Sequence, residues 1–208
     1  MLLELLRKHP MIKNWFLNWL DQNWVAEKAQ RILPFLEQDQ SVLDIGAGNG
    51  LLARHLLQKG FQVQAVDVAN LAIPEEISIT VYDGQHLPFA DQSYATALLI
   101  TVLHHTDDPV VVLRETARVA SKIVIIEDVY RNTLQKYLTF GMDTLVNLGH
   151  SNMTYQNRST KEWLALFETL GLSLLEHREK RVLGFFRQAT FVLTVSPPPA
   201  SNATTTAQ

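Results

Sequence analysis

Three acids, a run of glycines and a pair of histidines are the residues of this chain that could do chemistry. Asp44 stands inside the apolar run Ser41-Val-Leu-Asp-Ile-Gly-Ala-Gly-Asn-Gly50, which ends in glycines at 46, 48 and 50. Asp67 closes Phe61-Gln-Val-Gln-Ala-Val-Asp67, and Asp83 opens the loop Asp83-Gly-Gln-His-Leu-Pro-Phe-Ala-Asp91. Glycines allow positive φ and let a ligand approach where a Cβ would collide. An acid at the tip of a second strand can accept hydrogen bonds from both ribose hydroxyls. Asp83 could accept one from an adenine amino group, with the backbone of Gly84 and Gln85 nearby. Together these residues point to a nucleotide-type ligand. His104 and His105 follow the fourth apolar run and titrate near neutrality, which suits a base or a group that orients a substrate.

The elements that must position these residues can be read from periodicity. Residues 41–46 are predicted as a strand and about 49–59 as a helix, with Gly60 as its terminating glycine. Further strands are predicted at 61–67, 77–82, 94–100 and 122–128. The 94–100 run is almost continuously apolar, as the centre of a parallel sheet should be. A helix over 110–119 begins with Pro109 in its first turn and Asp107 or Asp108 as cap. Residues 71–76 contain Pro74 and are short for a crossover helix. Five tips facing one crevice define an open, doubly wound α/β sheet. Ser159 with Glu162 three residues on predicts a capped helix to about residue 170, ended by Gly171. Residues 172–180 and 188–195 read as a final antiparallel pair of strands, bringing the sheet to seven.

Outside that sheet, residues 11–36 read as helical in two pieces, with Trp15, Phe16, Trp19 and Leu20 on one face and Pro34 as the break. This gives a helical cap over 1–40, a domain over 41–196 with an insert at 129–158, and a disordered tail over 197–208.

Composition narrows the classes. With 47% apolar residues in 208, the chain can bury one sizeable core. A net charge of −3 argues against a general nucleic-acid binder, which would carry a basic face. The basic run His177-Arg-Glu-Lys-Arg181 is interrupted by Glu179 and reads as a solvated sheet edge. The absence of cysteine excludes disulfides and thiolate metal sites. Without a secretory segment or a long enough apolar run, the expectation is a cytoplasmic protein without a membrane span.

The glycine spacing selects the ligand. In the dinucleotide fingerprint G-x-G-x-x-G the third glycine would fall at position 51, where this chain has Leu51. An acid two residues before the first glycine is also foreign to it. The pattern Asp44-x-Gly46-x-Gly48-x-Gly50 instead resembles the first motif of class I S-adenosylmethionine-dependent methyltransferases, closest to the small-molecule type 11 group. Asp67, Asp83 with Leu87-Pro-Phe89, Leu103-His-His105 with Asp108-Pro109, and Arg118-Val119 extend the resemblance over Val42 to Asp128. Tyr94-Ala95 stands where the family often has Phe-Asp, and Ala120-Ser-Lys122 replaces a common Pro-Gly-Gly turn.

The resemblance implies a Rossmann-like fold and methyl transfer from S-adenosylmethionine to a small-molecule acceptor, with S-adenosylhomocysteine as product. It implies cofactor contacts from Asp44, Gly46, Gly48, Asn49, Asp67, Val68, Asp83, Gly84, Gln85, Ile100 and Thr101. His104 and His105 are the catalytic candidates. Tyr130, Arg131, Tyr137 and His150 are candidate substrate-side residues, because the insert should cover the crevice. Adjacent histidines normally point apart, so no metal is expected. The alternative reading is a non-catalytic cofactor-binding regulator or assembly protein on the same fold.

Overall fold

The computed structural model describes residue 11 and residues 21–130, 157–182 and 186–195. Trp15, Phe16, Trp19, Leu20, Arg131, Tyr137, His150 and the 197–208 tail, for which the sequence raises expectations, lie outside the described residues. The elements, in order, are α1 (Ala26–Ile32), β1 (Ser41–Ile45), α2 (Leu51–Gln58), β2 (Gln62–Asp67), β3 (Ile79–Val81) and β4 (Tyr94–Ile100). Then come α3 (Pro109–Val119), β5 (Ala120–Val129), α4 (Thr160–Thr169), β6 (Leu172–Val182) and β7 (Phe186–Val195). A π-helical turn, Asp21–Val25, leads into α1, and a 3-10 turn, Leu33–Phe35, ends it with Pro34 in its first residues. The helical reading of 11–36 is therefore confirmed over 21–35, with Pro34 at the break.

The seven strands form one sheet in the order β3-β2-β1-β4-β5-β7-β6. The first five run parallel, and β7 is antiparallel to both β5 and β6. This is the doubly wound, mostly parallel sheet with a C-terminal hairpin that the sequence predicts. The long strand pairs in the middle explain why 94–100 and 123–126 are apolar throughout, since both faces are covered.

Strand alternation sorts the core into two layers. Leu43, Ile45, Ala97, Leu99, Ile123, Ile125 and Phe191 face one side, where they meet Leu113 of α3 and Trp163 and Phe167 of α4. Val42, Leu98, Ile100, Val124, Ile126 and Val192 face the other, against Val25, Ala29 and Ile32 of the N-terminal segment and Leu51, Leu52 and Leu56 of α2. Each fully buried aliphatic side chain contributes roughly 1.5–3 kcal/mol. The core thus lies behind the carboxyl ends of the central strands and holds them in register.

The helix caps behave as read. Asp108 accepts from the Val110 N–H at the start of α3, and Ser159 with Glu162 forms a reciprocal capping box on α4. Residues 68–78 contain no helix, and β2 returns to the parallel β3 through an irregular connection. That connection packs over the glycine loop: Ile73 N–H donates to Asn49 O at 3.0 Å, and Ile77 lies against Gly50. Lys28, almost fully buried, anchors α1 to β7 by donating to Gln188 Oε1, while Arg31 reaches Gln188 and Thr190.

Candidate active site

The five parallel strands end on one side of the sheet, and the sequence-predicted residues gather there. At the tip of β1, Gly46 and Ala47 N–H groups both donate to Val66 O, which turns the chain sharply back towards α2. Gly46, Gly48 and Gly50 all have positive φ, but for different physical reasons. A Cβ on Gly46 would meet the Val102 methyls at 2.6 and 2.7 Å, and one on Gly50 would stand 3.0 Å from Ile77. A Cβ on Gly48 would meet nothing nearer than Gly46 O at 4.0 Å. Gly46 and Gly50 are therefore packing glycines, and Gly48 is the one that keeps open space. Asn49 Oδ1 accepts from the Leu51 N–H at the mouth of α2.

Asp44 sits behind this loop, 2% exposed, and its Oδ2 is buried without a hydrogen-bond partner among the described residues. Burial, with a smaller contribution from Asp67, pushes its carboxyl up to about 7. A buried polar atom left unmatched costs free energy unless a ligand supplies its partner. Asp67 at the tip of β2 accepts from the Gly48 N–H at 2.7 Å and the Val68 N–H at 2.6 Å. The carboxylate has lone pairs to spare beyond those two bonds.

At the third tip, Asp83 Oδ1 accepts from the backbone N–H groups of His86 (2.6 Å) and Gln85 (2.8 Å). These two bonds, with His86 Nδ1 3.1 Å from Oδ2, hold the exposed carboxyl near 2. Asp83 is thus a turn-forming residue whatever else it does. Gly84 has φ +82, and a Cβ there would touch Val68 at 3.2 Å. Val68 is 59% exposed, so the second and third tips carry an apolar surface flanked by Asp67 and Asp83. The loop after Asp83 is clamped from α3: Arg118 donates to the carbonyls of Leu87 and Phe89 and to Asp91 and Glu115.

The fourth tip carries the histidines. The Ile100 side chain is buried in the core layer under α1 and α2. Thr101 has φ +58 and donates its N–H to Ile126 O at 2.7 Å. A 3-10 turn, Leu103–His105, follows. His104 is 2% exposed, with Nδ1 2.5 Å from Glu127 Oε2. His105 is half-buried, and its ring lies on that of His104 with centroids 3.8 Å apart. The two rings lie together, tilted by 47°, contrary to the expectation that adjacent histidines point apart, and Glu127 holds His104 inward within the tight turn. Burial, then the charge of His104, holds the His105 imidazole down at about 4, which keeps it neutral at pH 7. Among the described residues no cluster of three or more histidines, cysteines or acids is arranged to hold a metal ion.

Tyr130, beyond β5, donates its hydroxyl to Glu162 Oε2 at 3.0 Å and so joins the capping box of α4. Glu127 escaped the reading of the sequence. Its one visible signal is being an acid at the end of the apolar run Ile123 to Ile126.

A buried acid with an unmatched oxygen, a second acid at the next tip, and a glycine that leaves space are groups that could receive a cationic, ribose-bearing ligand. S-adenosylmethionine, with its sulfonium and amino group, fits that donor set. Known proteins agree. Residues 17–177 match the model of the methyltransferase domain, so the chain belongs to the class I S-adenosylmethionine-dependent methyltransferase family. It is 29% identical over 151 residues to the methyltransferase GfsG of Streptomyces halstedii, covering 65% of this chain and 53% of that protein. The chain thus spans about half the length of that relative. The fold is similar to a chain from the complex between the Haloferax volcanii Trm112 methyltransferase activator and a methyltransferase (TM-score 0.70, 17% identity, 90% and 96% of the two chains). It is also similar to the geranyl diphosphate C-methyltransferase of Streptomyces coelicolor, solved with Mg2+, geranyl diphosphate and S-adenosylhomocysteine (TM-score 0.63, 12% identity, 82% and 80%).

Proposed function

We propose that this protein transfers the methyl group of S-adenosylmethionine to a small-molecule acceptor. The observation that carries the donor side of this reading is the buried, unmatched Asp44 Oδ2, together with the open space at Gly48. When bound, the donor supplies a methyl group already activated by the sulfonium. The protein's part is then to hold donor and acceptor in line and to exclude water.

In this reading Asp44 receives the amino group and Asp67 the ribose hydroxyls, while the Val68–Gly84 surface takes the adenine with Asp83 and Gln85 at its edge. Gly46 acts through its packing on Val102, and Asn49 and Thr101 shape the loop and the fourth tip. His105 is the better placed of the two histidines to meet an acceptor, because His104 is turned inward. A neutral imidazole offers a lone pair to an acceptor hydroxyl or amine, and its lowered basicity favours orientation over outright proton abstraction.

The net charge of −3 supports a small acceptor over nucleic acid, as does the C-methyltransferase of similar fold, which was solved with geranyl diphosphate. Among the described residues no helix is long and apolar enough to cross a membrane. The test is a screen with S-adenosylmethionine labelled in its methyl group, offered a panel of small hydroxyl, amine and carbon acceptors alongside bulk tRNA and protein. Label in a small molecule supports the reading. Label confined to tRNA or protein, or no transfer to any acceptor by a protein that binds the cofactor, contradicts it.

A further inference from the structure

The tip of β5 carries a carboxylate that none of the proposed donor contacts uses. Glu127 is fully buried, and its Oε1 accepts from the Val102 N–H at 2.9 Å and the Leu103 N–H at 2.7 Å. Its Oε2 holds His104 Nδ1 at 2.5 Å. A buried carboxylate is costly to a fold unless several donors meet it, and here three do. All three belong to one turn, 23 to 25 residues earlier in the chain, at the tip of β4.

That turn is wedged between the two halves of the site. Thr101, which opens it, holds a left-handed backbone that a threonine keeps only where its surroundings over-determine it. Val102 then sends both methyls against Gly46, so tightly that no side chain fits there. His104 supports the ring of His105. One carboxylate therefore fixes the turn, and the turn sets the glycine loop on one side and His105 on the other.

We propose that Glu127 is a positioning residue for methyl transfer: through Val102 it registers the donor loop, and through His104 it registers His105, without touching donor or acceptor. The inference rests on the reading of the Gly46–Gly50 loop as the donor site.

Glu127→Gln keeps the size and one acceptor oxygen while removing the charge, and Glu127→Asp keeps the charge on a shorter arm. Val102→Ala loosens the wedge and leaves the carboxylate untouched. S-adenosylhomocysteine affinity by calorimetry, circular dichroism and the imidazole proton NMR spectrum are measured for each. The wild type should show a far-downfield His104 Nδ1 proton. Glu127→Gln should lose it and bind S-adenosylhomocysteine five- to tenfold more weakly with its secondary structure intact, and Glu127→Asp should recover part of both. Val102→Ala should weaken binding by a similar factor, and it decides the matter if Glu127→Gln does not fold. Affinity within twofold of wild type in a folded Glu127→Gln, or in Val102→Ala, overturns the inference alone. A wild type that binds no S-adenosylhomocysteine overturns the donor-site reading as well.

Discussion

The Gly48 N–H donates to Asp67 Oδ2 at 2.7 Å, so the acid at the tip of β2 is tied to the middle of the glycine loop. Asp67 therefore shapes the loop, and in the proposed function its remaining lone pairs serve a ribose. Hydrogen bonds to a charged group are worth about 1.5–3 kcal/mol each. Asp67→Ala should weaken S-adenosylhomocysteine binding by roughly ten- to a hundredfold. Asp67→Asn, which keeps one acceptor oxygen, should fall between. Equal affinity in all three proteins would remove Asp67 from the site.

The three loop glycines should separate under substitution. Gly46→Ala meets Val102 as well as a left-handed backbone, so it should cost about 2–5 kcal/mol in urea unfolding of the ligand-free protein. Gly48→Ala meets only the backbone penalty, roughly 1–2 kcal/mol. It should nevertheless lose most cofactor affinity, because its methyl enters the open space. If Gly48→Ala binds normally, that space is not the donor's.

Asp44 predicts a pH dependence. Its folded-state carboxyl is raised to about 7 from an ordinary 3.8, by burial first and by Asp67 second. Between those values the unfolded chain has lost a proton that the folded chain keeps, so stability falls as pH rises from about 4 to 7 and levels off above. In Asp44→Asn this decline should vanish from urea unfolding profiles. In the wild type, cofactor affinity should rise through the same window as the carboxylate forms. Parallel profiles for wild type and Asp44→Asn would argue against a raised Asp44.

How much of this was legible in the sequence depends on how local the cause is. β1 to β5 follow from apolar runs and glycine turns, and the caps at Asp108 and Ser159 from short-range hydrogen bonding. The site acids could be placed because each stands inside a strand, ends one or shortly follows one. The separate reasons for Gly46 and Gly48 were not visible, since Val102 is 56 positions from Gly46 and meets it only once β1 and β4 pair. Glu127 and Lys28 were missed for the same reason. Each is one polar residue whose partners, the turn after β4 and Gln188 of β7, are brought to it by the sheet.

Lys28 predicts the opposite pH trend at the alkaline end. Burial, then the neighbouring Arg31, lowers its ammonium to about 8 from 10.5. The unfolded chain then binds the extra proton between those values, so stability rises as pH climbs from about 8 towards 10.5. Lys28→Met should flatten that limb of the thermal-unfolding profile. An unchanged limb would place the lysine in a more solvated setting than beside Gln188.

In the proposed function, Asp44, Gly48 and Asp67 together hold S-adenosylmethionine and its product. Calorimetric titration of the purified protein with S-adenosylhomocysteine tests it most directly. One saturable site is expected in the wild type, with roughly ten- to a hundredfold weaker binding in Asp67→Ala. No binding by the wild type, or the same binding constant in Asp67→Ala, would contradict it.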